Sequence, residues 1–154
     1  MHLAELLQAR REAILEAAVA ALERAHLAHY EAAGRALRRE RLERLYDLVA
    51  DAVRERNLTR LRQHAEQIAH ERFAAGFDLL EVQSAFNVLE EALWRVLVAE
   101  VPAVELGEAL GLVGTALGSG KDRLAATYVE LASRARTPSL DLSALFAGTA
   151  AEAE

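Results

Sequence analysis

Residues 73–82 read Phe73-Ala-Ala-Gly76-Phe77-Asp78-Leu-Leu-Glu81-Val82, a helix stop followed at once by a helix start. Gly76 stands where a helix can end on a left-handed residue. Asp78 and Glu81, three apart, make a capping-box pair with Asp in place of Ser or Thr, and Phe77 and Val82 occupy the two positions of a hydrophobic staple. Downstream, Val82, Phe86, Leu89, Leu93 and Val96 recur at helical spacing to about Glu100, where Pro102 interrupts. Leu106, Leu110, Val113, Leu117, Leu124, Tyr128 and Leu131 then mark a long helix over about 103–135. Upstream, Leu61, Ala65, Ile68 and Phe73 mark a helix that begins after Asn57-Leu58-Thr59, with Asn57 or Thr59 as its cap. Leu42, Leu45, Val49 and Val53 mark another over about 36–56. The first, with Leu7, Ile14, Ala18, Leu22 and Ala25, runs from about 3 to 32 and ends at Gly34.

Composition agrees with this pattern. Of 154 residues 33 are Ala and 26 Leu, aromatics are only 5%, and there are two prolines. Strong helix formers dominate, while the residues that favour strands are scarce. The expectation is an all-α fold: a compact bundle of about five helices over residues 1–136, joined by short antiparallel connections. Residues 137–154 form a C-terminal tail beginning at Thr137-Pro138.

Several chemistries are set aside on residue types alone. Without Cys there is no disulfide, thiolate metal site or cysteine nucleophile. No apolar run approaches the length of a membrane span, and MHLAELLQARR lacks the form of a secretory signal, so a cytoplasmic location away from membranes is expected. The net charge of −6 argues against nucleic-acid binding. Arg35, Arg38, Arg39, Arg41 and Arg44 form a local basic cluster, read as a solvated helix start interleaved with Glu40 and Glu43. Gly118-Ser-Gly-Lys121-Asp122 fails as a phosphate loop, because neither the first glycine position nor the residue after Lys fits. Glu23 and His26 have a di-iron-like spacing without the second copy such sites need. His26 and His29 are therefore read as structural, and His70 as a residue of a solvated helix. No catalytic residue, metal ligand or cofactor is assigned, and the chain is expected not to be an enzyme.

Two features remain. Gly107, Gly111, Gly114 and Gly118 fall at spacings of 4, 3 and 4, on one face of the last helix. Each interior glycine costs about 1 kcal/mol relative to Ala. The face is read as a tight helix crossing inside the bundle, a subunit interface or the wall of a ligand pocket, with a break or bend near 118–120 compatible with each. In the tail, Leu140, Leu142, Leu145 and Phe146 crowd four large apolar residues into 139–146, too short for a stable lone helix. They are expected to dock on the bundle or on a protein partner.

The stretch Ile68–Phe86 resembles the N-terminal sensor domain of RsbR-type stressosome co-antagonists, in the RsbRD-like branch. Ala69, Arg72, Gly76, Phe77, Glu81 and Val82 match the family's pattern, followed by Phe86 and by Leu89, Ala92, Leu93 and Trp94 in the next helix. The resemblance implies a globin-like helical fold without haem, homodimerisation, and relay of a stress signal to a regulatory protein. Family members carry a C-terminal STAS domain, which these 154 residues lack, so the phosphorylation-dependent output does not carry over. The leading expectation is a non-enzymatic regulatory or sensor module working by dimerisation and protein contact. An adaptor or cargo protein addressed by its tail, and a globin-like carrier of a small molecule or tetrapyrrole, are the alternatives.

Overall fold

The computed structural model describes residues 2–25, 27 and 34–136, with the Arg136 side chain left out. Among the described residues six helices follow one another: α1 (Leu3–Ala9), α2 (Arg11–Arg24), α3 (Arg35–Glu55), α4 (Thr59–Ala74), α5 (Leu79–Glu100) and α6 (Ala103–Arg136). No strand occurs among the described residues, so the all-α bundle is the fold. The first helix is not continuous: it breaks at Arg10, which leaves helical geometry at φ −104°, ψ 6°, so six helices rather than five are seen among the described residues. The Arg10 Nε donates to both carboxylate oxygens of Glu100 at 2.9 Å, tying the break to the end of α5. The second piece stops at Arg24 instead of reaching residue 32. The break considered near 118–120 does not occur, since α6 runs unbroken through these residues as one helix of 34 residues.

The corner at 73–82 forms as its sequence directs. Gly76 takes φ 86°. The Phe77 N–H donates to the Arg72 carbonyl at 3.0 Å and the Gly76 N–H to that of Phe73 at 3.1 Å, the paired bonds of a Schellman stop. The Glu81 N–H donates to Asp78 Oδ1 at 2.9 Å and the Asp78 N–H to Glu81 Oε1 at 3.2 Å, completing the capping box. Phe77 and Val82 are both buried in the core. At the start of α4, Asn57 Oδ1 rather than Thr59 is the acceptor, taking the Thr59 N–H at 2.9 Å.

Helix α3 touches all five others, while α2 packs mainly on α5 and α4 mainly on α6. The core is therefore built around Leu42, Leu45, Tyr46, Val49 and Val53, closed by Leu15, Leu22, Leu61, Phe86, Leu93 and Leu117. Arg11 forks onto Asp47 at 2.9 and 3.0 Å and fastens α2 to α3. The buried Tyr46 hydroxyl donates to the Leu7 carbonyl at 2.5 Å, and burial pushes the phenol's pKa well above its ordinary value, so it remains a donor. Tyr46→Phe strands that carbonyl and should lower stability by about 1–2 kcal/mol, read from the urea midpoint at unchanged slope.

Candidate functional site

The glycine face of α6 is not where the bundle packs closely. A Cβ built on Gly107, Gly111, Gly114 or Gly118 meets nothing within 4 Å among the described residues. Gly107 and Gly111 are exposed, and Gly114 and Gly118 are half-buried. The tight crossing expected inside the bundle is made instead by Gly120, which is buried; a Cβ there would lie 2.8 Å from Phe86 Cε1. Two residues along a helix turn the side chain through about 200°, which moves Gly120 from the outer stripe to the core face.

The stripe continues into other exposed apolar residues. At 3.6 residues per turn, Val104 and Val129 lie in line with the glycines, and Val104 is 94% exposed. On α5, Trp94 is 53% exposed and Val98 is exposed beside it. Lys121 Nζ on α6 donates to Asn87 Oδ1 at 2.9 Å and lies 3.7 Å from Glu90. Asn87, Glu90 and Trp94 share the side of α5 turned to α6, so Trp94 stands on the same side of the α5–α6 hairpin as the glycines. Gly111 also edges a shallow groove of about 380 Å³ with Ala52, Leu58, Leu112 and Ala116. Lys121 lies in helix rather than in a loop, which removes the phosphate-loop geometry.

The residues carrying the family resemblance divide into two groups. Gly76, Phe77, Glu81, Val82 and Phe86 build the α4–α5 corner and its core. The corner is tied to α6 by the Tyr128 hydroxyl, which donates to the Phe77 carbonyl at 3.2 Å, and by Phe73 meeting the Tyr128 ring edge-on. Arg72 and Arg41 flank the Phe77 ring at 5.7 and 5.8 Å. Trp94 stands apart on the outer face. Among the described residues, no group of three His, Asp or Glu side chains is placed to hold a metal ion, and no helix is long and apolar enough to cross a membrane. His26, His29 and the tail residues Leu140, Leu142, Leu145 and Phe146 lie outside the described residues.

No family model, curated protein or solved structure matches this chain.

The basic cluster of α3 is not simply a solvated helix start. Arg38 is buried. Arg35 and Arg38 reach Glu23 at 2.5 and 3.4 Å, and Arg39 bridges Glu43 and Glu12. Arg41 and Arg44 turn toward α4, where they meet a residue that no local pattern singles out, His64. Its Nδ1 is buried without a hydrogen-bond partner. Burial, then the neighbouring Arg44, and to a lesser degree Arg72, hold the imidazole pKa below its ordinary 6.5, against an opposing pull from Glu71. A depressed histidine favours the native state while neutral. That contribution is complete above pH 6.5 and is lost as pH falls through the lower folded value. The melting temperature should therefore drop between pH 7.5 and 5, and His64→Gln should flatten the drop. An unchanged slope in the variant would assign the acid sensitivity elsewhere.

Proposed function

We propose that this chain is a non-enzymatic regulatory module that works as a homodimer, joined across the outer face of the α5–α6 hairpin. The observation that carries the reading is the open glycine stripe. Four glycines in one helix lower its intrinsic stability by about 4 kcal/mol, and packing among the described residues offers them no compensation. Close approach of two helix backbones needs small residues on both sides. A second α6 supplies them when a twofold axis crosses the stripe with itself, and Trp94, Val98 and Val104 then lie at the margins of the contact. The resemblance of about 68–95 to RsbR-type sensor domains points the same way, toward a dimer that relays a signal by protein contact. The tail residues Leu140, Leu142, Leu145 and Phe146 are the contacts offered to a downstream partner.

The test is sedimentation of the intact chain beside Gly111→Leu. The added side chain meets open solvent in the isolated subunit, so the variant should stay folded by circular dichroism and run as a monomer where the parent runs as a dimer. A monomeric parent, or a variant that dimerises as well as the parent, removes the proposal.

A further inference from the structure

A pocket of about 130 Å³ opens between α3, α4 and α5. Its floor is apolar: Leu45, Val82 and Phe86 are buried. Its rim is basic, with Arg41 and Arg44 from α3 and His64 and Arg72 from α4. Glu71 is the one acid lining it, so three arginines face a single carboxylate in a chain whose net charge is −6. That carboxylate is already engaged, by Gln67 Nε2 at 3.2 Å and Arg72 at 3.5 Å. Arg44 has no ion pair or hydrogen bond among the described residues and stands exposed at the mouth. Phe77, stacked between Arg41 and Arg72, fixes the direction of both guanidinium groups. His64 adds a buried imidazole nitrogen whose hydrogen-bonding capacity the protein leaves unused.

We propose that this pocket binds a short-chain carboxylic acid, its carboxylate on Arg44 and Arg72 beside the His64 imidazole and its hydrocarbon body on Leu45, Val82 and Phe86. The chemistry follows from the two ends of the cavity. A carboxylate matches the fork of an arginine and accepts from an imidazole N–H, while the floor rewards an apolar body. The volume is that of about four waters, room for an acid of roughly three to five carbons. Inorganic phosphate satisfies the rim but leaves the apolar floor without a partner. Binding also has an electrostatic consequence. A carboxylate beside His64 favours its charged form and counters the burial and the arginines that disfavour it, so the complex takes up a proton as it forms.

The inference goes beyond the dimer and does not depend on it. Binding is read at a histidine of the α3–α4–α5 side, whereas dimerisation is read by sedimentation. The experiment is an NMR titration of the His64 imidazole in the full chain with sodium butyrate, with inorganic phosphate, and with sodium chloride at matched ionic strength. Butyrate should saturate and move the His64 midpoint up toward the ordinary imidazole range, with phosphate at least tenfold weaker and chloride without effect. Arg44→Gln, an exposed substitution, should weaken butyrate at least tenfold at an unchanged melting temperature. No response to butyrate, equal binding of phosphate, or full affinity in a folded Arg44→Gln chain would each overturn the proposal.

Discussion

Replacing Gly107, Gly111, Gly114 and Gly118 together by alanine is expected to stabilise the isolated subunit by about 3–4 kcal/mol, the summed helix propensity of four exchanges. In a domain of this size that corresponds to roughly 10 °C in melting temperature. The gain requires that the new methyl groups meet no obstruction, and among the described residues nothing lies within 4 Å of a Cβ at any of the four positions. The measurement belongs at low protein concentration, where association contributes nothing to the melting temperature. At high concentration the same variant should associate more weakly than the parent, because each copy brings four methyl groups into the plane where two backbones meet. Stability and association then move in opposite directions. A variant that gains stability and still dimerises like the parent would leave the propensity argument standing and end the interface argument. One that loses stability would mean that the stripe is closed by part of this same chain.

Gly120 should give the opposite sign. A methyl group there falls 2.8 Å from Phe86 Cε1, against a ring that is itself fully buried. The ring cannot swing into solvent, so Gly120→Ala should destabilise by about 1–3 kcal/mol despite the better helix former. Removing the ring by Phe86→Ala is the larger perturbation, about 3–5 kcal/mol, because it leaves a cavity in the centre of the bundle. The two changes act on one contact and should not add. In Phe86→Leu the alanine at 120 should become neutral or favourable, a coupling of about 1–2 kcal/mol in a double-mutant cycle. Independent effects at the two positions would show that the close approach is not what selects glycine at 120.

The contrast between these glycines marks the boundary of what the sequence makes legible. Stops and starts are written locally: Gly76, the Asp78–Glu81 pair and Pro102 act through neighbours within a few residues, and α4, α5 and α6 begin within a residue of their expected positions. The spacing of 4, 3 and 4 also identifies correctly that four glycines share a face. Which way that face turns depends on the α4–α6 and α5–α6 packing, which no local pattern encodes. The tight crossing at Gly120 belongs to a glycine outside the stripe. The His64 pocket was hidden for the same reason. Arg41, Arg44, His64, Arg72 and Phe86 come from three helices, and each looks ordinary on its own. The basic run of α3 was the available clue. Its arginines sit at alternating angles around the helix, so some had to face inward and find partners.

A helix that touches all the others also constrains the order in which the molecule can be made. Residues 35–55 leave the ribosome before α4, α5 and α6 exist. Until residues 59–136 follow, Leu42, Leu45 and Val49 have only α1 and α2 to lie against. The charged residues on the rest of α3 then keep this half-built chain in solution. The arginine-rich surface, on which Arg35, Arg38, Arg39 and Arg54 end in ion pairs in the finished bundle, serves, during synthesis, as the hydrophilic side of an unfinished one.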